Sequence, residues 1–145
     1  MITALKEEVQ GKKKPLLGIC LGMQALFEDS EENGYTKGLG FLKGNIVKMS
    51  DAAESRVRIP HIGWNSLTFP NPGRLFEGIE ENPYVYFVHS YYLKAAEPSI
   101  VTAETEYGTL IHASVEKDNV FACQFHPEKS SSVGLSILKN FISLT

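Results

Sequence analysis

The sequence predicts an α/β fold: a three-layer, mostly parallel, doubly wound sheet with an antiparallel β excursion, in one domain over residues 1–145. Three stretches predict it. The apolar run 16–19, opened by Pro15, passes straight into Met23, Gln24, Leu26 and Phe27 at helical spacing. A second apolar run, 120–125, precedes Val133, Ile137, Leu138 and Phe141, the stripe of a C-terminal helix that Ser130, Ser131 or Ser132 can cap. Two further runs, 100–105 and 110–115, flank Tyr107-Gly108 and read as a hairpin.

In chain order, residues 2–10 carry Ile2, Leu5 and Val9 at helical spacing, and Gly11 can end that helix. A chain opening on such a helix, directly before its central strand, predicts a fold lacking its first strands. The acidic stretch 28–34 reads as a solvent-facing loop. Residues 45–49 and 56–59 read as strands at the sheet margin, and the glycines from Gly38 to Gly44 lack phosphate-loop spacing. Residues 60–65, Pro-His-Ile-Gly-Trp-Asn, read as a loop holding the only tryptophan, either a satellite core residue or an interface anchor. Leu75-Phe76 begins a short helical piece. Residues 84–88 form an aromatic, β-branched strand ending at His89-Ser90-Tyr91, a candidate wall of the crevice.

Composition excludes several classes. With 43% hydrophobic and 21% charged residues and a formal net charge of −3, the chain is an ordinary globular one with no field to recruit nucleic acid. No apolar run approaches the ~18 residues of a membrane span, and no signal peptide is recognisable. Two cysteines make no disulfide framework and suit a cytoplasmic, reducing setting. Neither they nor the four histidines have metal-ligand spacing, so no metal and no cofactor is expected.

The chemistry centres on Gly18-Ile19-Cys20-Leu21-Gly22. Glycine two residues to each side of a cysteine suits a sharp strand-to-helix turn with a nucleophile at its tip. Free amides at the helix start and a histidine partner would both favour thiolate. Downstream, His126-Pro127-Glu128 closes the second apolar run. Pro127 biases His126 toward extended backbone, so imidazole and carboxylate can share a side. Cys20, His126 and Glu128 thus form a candidate nucleophile, base and orienting acid. His89 is an alternative base without a nearby carboxylate in sequence, and His112 reads as a sheet-face histidine.

The elbow, 18–24, and Gln124-Phe125-His126-Pro127-Glu128-Lys129-Ser130 resemble the class I (triad) glutamine amidotransferases, a flavodoxin-like fold. Residues 60–65, 86–91, 38–40 and 44–47 resemble more narrowly the glutaminase subunits of imidazole glycerol phosphate synthases. The resemblance implies hydrolysis of L-glutamine through a Cys20 thioester, with His126 as acid/base and Glu128 orienting it. It implies substrate contacts at Leu21, Gly22, Gln24, His89, Ser90 and Tyr91, the Leu21 amide being the oxyanion donor just past the nucleophile. It implies a heterodimer with a (β/α)8-barrel cyclase, docked through His61, Gly63, Trp64 and Asn65. The barrel would receive the ammonia and make imidazole glycerol phosphate and an aminoimidazole carboxamide ribotide in histidine biosynthesis. The family's N-terminal third, with its Pro-Gly-x-Gly loop, has no match here, so the expected fold is N-terminally truncated. Two alternatives remain open at this level: a catalytically impaired partner-binding domain, and a cysteine hydrolase or peptidase of the same fold.

Overall fold

The computed structural model describes residues 1–32, 34–49 and 57–145. The chain opens with α1 (Ile2–Lys6), which continues into a π-helical turn, Glu7–Gly11. Next come β1 (Leu16–Ile19), α2 (Leu21–Ala25), β2 (Asp29–Ser30), β3 (Thr36–Lys37) and β4 (Gly44–Lys48). The second half holds β5 (His61–Ser66), β6 (Tyr84–His89), β7 (Tyr91–Ala95), β8 (Val101–Glu106), β9 (Leu110–Lys117), β10 (Val120–Cys123) and α3 (Ser131–Ile142). Strands order as β1-β10-β9-β8, as β3-β2-β4-β7, and as the pair β5-β6.

The alternation of side chains along the first sheet produces the layers. On β10, Val120 and Ala122 face one way and join Val9, Met23, Leu26 and Phe27 in one core. Phe121 and Cys123 face the other way and join Phe87, Phe125 and Ile137 in a second core. Neighbouring β9 contributes to both cores, Val115 to the first and Ala113 to the second, because its register on β8 shifts between Ser114 and His112. One helical layer, α1 to α2, therefore covers one face and α3 covers the other, the three layers the sequence predicts. Both cores are filled by side chains fully out of water, such as Met23, Phe27, Phe121 and Phe125.

Strand pairing is mixed. Among the described residues β1–β10 and β2–β4 run parallel, and the remaining ladders are antiparallel. Connection length explains this. Only Asp118 and Asn119 join β9 to β10, and only residues 107–109 join β8 to β9. Neither link can make the crossover of a dozen or more residues that a parallel neighbour needs. The hairpin expected around Tyr107-Gly108 is β8–β9.

Two sequence expectations change here. Residues 61–65 form strand rather than loop, and β5 pairs along its whole length with β6, His61 opposite His89 and Trp64 opposite Tyr86. The strand expected over 56–59 does not form at 57–59, and Arg56 lies outside the described residues. Within the stretch 28–34, Asn33 also lies outside them, while Asp29 and Ser30 pair with β4.

Candidate active site

The register of β1 on β10 builds the site. Ile19 lies opposite Cys123, and the Cys20 amide donates to the Cys123 carbonyl at 2.8 Å. Cys20 therefore stands beside Gln124, at the C-terminal ends of two parallel strands, two residues before His126. The turn is tight: Cys20 has φ 53° and ψ −105°. A β-carbon-bearing residue in that region stores about 1–3 kcal/mol, which the surrounding packing must offset. Gly18 shows where the packing is closest. A methyl group there would stand 2.8 Å from the Gly22 carbonyl oxygen and 2.9 Å from Leu26 Cδ1. The same test at Gly22 meets nothing within 4 Å, so only the first glycine of the motif is required by crowding.

His126 and Glu128 come together as expected, with Nδ1 and Oε1 2.6 Å apart. The histidine is held by its backbone as well. Its amide donates to the Tyr86 carbonyl at 2.9 Å, and the Ser130 hydroxyl donates to the His126 carbonyl at 2.6 Å. Ser130 also accepts the Tyr86 amide at 3.0 Å, so its hydroxyl ties this loop to β6 instead of capping α3. With Nδ1 facing the carboxylate, Nε2 is the nitrogen left for acid/base work. It is buried and has no hydrogen-bond partner among the described residues.

The thiol sits between two partners. Its S–H donates to the Val88 carbonyl at 3.8 Å, and the Gln124 side-chain amide donates to the sulfur at 3.5 Å. Burial pushes the Cys20 thiol up; the Leu21 amide and Gln124 pull it back, while Glu32 and Glu128 add to the upward push. The net direction is upward, opposite to the expectation of a thiolate favoured by the helix start, because α2 is only five residues and desolvation outweighs it.

Leu21, Gln24, Ser30, Glu32, Lys37 and Leu39 line a cavity of about 440 Å³ beside the elbow. Gln24 is buried, and its Oε1 has no partner among the described residues.

One residue past Val88, His89 ends β6, while Ser90 and Tyr91 lead into β7. His89 cannot serve as the alternative base in this arrangement, because both ring nitrogens are engaged. Nδ1 is 2.8 Å from the Tyr91 carbonyl, which can only accept, so Nδ1 carries the proton and Nε2 is an acceptor. His61 Nδ1, 2.9 Å away, must then donate to it, leaving His61 Nε2 to accept from Asn65 Nδ2 at 3.4 Å. Burial holds His61 down to about 3 and His89 to about 4, so both rings are neutral. His61 is stacked between Phe87 and Tyr107, with ring centroids 4.6 and 3.9 Å away. It is therefore buried, whereas Trp64 on the same strand is exposed. Trp64 is 51% exposed and meets Tyr86 edge-on, and Ile62 and Tyr84 on the same outward face are exposed as well.

A family model described as glutamine amidotransferase class-I matches residues 1–144. The chain belongs to that family. As a class-I glutamine amidotransferase it is 53% identical over 142 residues to the imidazole glycerol phosphate synthase subunit HisH of Caldanaerobacter subterraneus, covering 96% of this chain and 68% of the relative. The subunit HisH of Methanocaldococcus jannaschii is 49% identical over 146 residues, with 99% and 72% covered. The crystal structure of a glutamine amidotransferase from Thermotoga maritima shares the fold, with a TM-score of 0.61 at 21% identity, covering 97% of this chain and 50% of that one. The chain thus spans about half of that structure's length.

Two residues of this amidotransferase site escaped sequence reasoning, Gln124 and Ser130. Both sit inside the motif around His126, yet neither role shows without the register of β1 and β6 on that segment. Among the described residues no group of three or more His, Cys, Asp or Glu side chains could hold a metal ion.

Proposed function

We propose that the chain is the glutaminase subunit of an imidazole glycerol phosphate synthase, hydrolysing L-glutamine to glutamate and ammonia. The observation that carries this reading is the strained thiol at one strand tip with a free imidazole Nε2 and its carboxylate anchor just past the neighbouring parallel strand. The adjoining cavity supports glutamine in particular. Glu32 and Lys37 offer opposite charges to the ammonium and carboxylate of a free amino acid.

The Cys20 sulfur attacks the side-chain amide carbon while His126 Nε2 takes the thiol proton. The same nitrogen then passes that proton to the departing nitrogen, and ammonia leaves as the thioester forms. Water, deprotonated by His126, adds to the thioester and releases glutamate and the thiol. Glu128 keeps Nδ1 protonated and balances the imidazolium between these steps. The Leu21 amide, already directed at the sulfur, is placed to donate to the tetrahedral oxyanion.

For a partner, the exposed face of β5–β6 supports docking: Ile62, Trp64 and Tyr84 present a contiguous aromatic and aliphatic surface. We assign it to a cyclase built as a (β/α)8 barrel, which consumes the ammonia in histidine biosynthesis.

The test is covalent trapping. A glutamine-mimicking chloroketone or diazoketone should label Cys20 stoichiometrically, glutamine should protect it, and Cys20→Ser should abolish both labelling and ammonia release in the presence of the cyclase. Equal labelling by electrophiles with unrelated side chains, with no protection by glutamine, refutes the assignment.

A further inference from the structure

Gln124 is the most deeply buried polar side chain beside the nucleophile, with no exposed surface. Its backbone amide is engaged with the Ala113 carbonyl at 2.8 Å, fixing the segment between β10 and His126. Its side chain reaches across to β1, where Nε2 donates to Cys20 Sγ at 3.5 Å. Its Oε1 is buried with no partner among the described residues. Leaving such an acceptor unpaired is costly, and methionine would fill the same space without that cost. The amide is therefore poor packing, and its one side-chain bond among the described residues goes to the Cys20 sulfur.

We propose that Gln124 is a positioning residue of the glutaminase, whose side-chain amide stabilises the Cys20 thiolate and holds the sulfur at the strand tip. The proposal rests on the function proposed above for its catalytic meaning, though not for its chemistry at the thiol. At rest the S–H is donated to Val88 O on β6. For attack the proton must turn to His126 Nε2. Once it leaves, the Val88 carbonyl faces an anion and no longer contributes. The Gln124 N–H bond then becomes charge-assisted and strengthens, since donors to ionised acceptors are roughly twice as strong as neutral ones.

The amide therefore favours the ionised sulfur at the moment its other partner is lost. Every other charge around the sulfur matters to that balance. Glu32 from the cavity wall and Glu128 beyond β10 oppose thiolate, and His126, once protonated, favours it. Cys123 on β10 is fully buried and its thiol is pushed far up, so it stays neutral.

The experiment is the pH dependence of Cys20 alkylation by iodoacetamide in the full chain, which needs no glutamine. Gln124→Met keeps the length and removes the donor; Gln124→Glu puts an acceptor in its place. The midpoint of the alkylation profile should rise by about one pH unit in Gln124→Met and further in Gln124→Glu. The rate at neutral pH should fall about tenfold. Gln124→Met in the complex should lower kcat more than it raises KM. In the wild-type chain, the Gln124 side-chain amide resonances should move with the same midpoint as alkylation. A folded Gln124→Met variant with an unshifted profile overturns the proposal. So do wild-type amide resonances that ignore thiol ionisation, a readout that stands even if the variants do not fold. Shifted profiles in a chain that never releases ammonia from glutamine would uphold the role at the thiol and sink the glutaminase reading instead.

Discussion

The two glycines that flank the nucleophile look alike in sequence, and the structure predicts opposite consequences for replacing them. In Gly18→Ala the new methyl would lie 2.8 and 2.9 Å from the carbonyl oxygen and carbon of Gly22, and 2.9 Å from Leu26 Cδ1. The leucine can rotate, but the backbone carbonyl is part of α2 and can move only if the helix does. Overpacking of that kind costs about 1–3 kcal/mol. In Gly22→Ala the methyl meets nothing within 4 Å, and the residue lies inside α2 with no left-handed φ. Alanine there removes unfolded-state freedom and should stabilise by about 0.4–1 kcal/mol. In a chain of this size 1 kcal/mol moves Tm by about 2–4 °C. Thermal melts should therefore place Gly18→Ala several degrees below the parent and Gly22→Ala slightly above it. Alkylation of Cys20 should be perturbed in the first variant, because displacing α2 displaces the strained residue between them. A Gly18→Ala protein as stable as the parent, or a Gly22→Ala protein that melts lower, refutes the reading of the elbow as crowded on one side only.

The buried histidine pair makes stability acid-sensitive. His61 and His89 are held to about 3 and about 4 when folded but titrate near 6.5 when unfolded. Between those values the unfolded chain binds more protons, so stability is retained above pH ~6.5 and falls as pH drops toward 4. Urea midpoints across that window should show the fall, and His61→Phe should flatten it by up to one proton's worth of slope while leaving His89 Nε2 without its donor. Glu128→Gln should lower ammonia release at least tenfold with little loss of Tm, since the carboxylate is half exposed and acts through the His126 tautomer. Trp64→Ala should change Tm by under ~1 °C but weaken binding of the cyclase ~30-fold or more, measured by titration calorimetry, as for an exposed aromatic anchor.

Local chemistry was legible in the sequence where the determinants are local. The strand-to-helix turn at Cys20 follows from an apolar run meeting a helical period, and the β8–β9 hairpin from two β-branched runs around Tyr107-Gly108. The proximity of His126 and Glu128 follows from Pro127 alone. What stayed hidden depends on register between distant segments. His61 reads as a loop residue beside Trp64, yet pairing with β6 turns it inward while Trp64 faces out. The thiol's upward shift depends on burial, which no motif spells out. Ser130 reads as a helix cap because its position is right for one; only the presence of β6 alongside gives its hydroxyl better partners.

That same strand gives the site its mechanical unity. The Val88 carbonyl of β6 receives the Cys20 thiol, and the Tyr86 carbonyl receives the His126 amide two residues earlier. Cys20 and His126 follow two other strands, β1 and β10, but each is tied to one of two alternate carbonyls of this one. On the opposite side of its pairing, β6 carries Tyr84 and Tyr86 into the surface shared with Trp64. A displacement of β6 relative to β1 and β10 therefore alters both anchors together, whereas a displacement of α3 alters only the loop holding His126. A displacement of the β5–β6 face accordingly shifts the hydrogen bonds of both Cys20 and His126 through a single backbone. Replacing Tyr84, whose side chain is exposed and whose carbonyl holds neither reactive residue, should leave Cys20 alkylation unchanged. Replacing Val88 with proline should change it sharply, since the ring fixes φ at the residue whose carbonyl accepts the thiol.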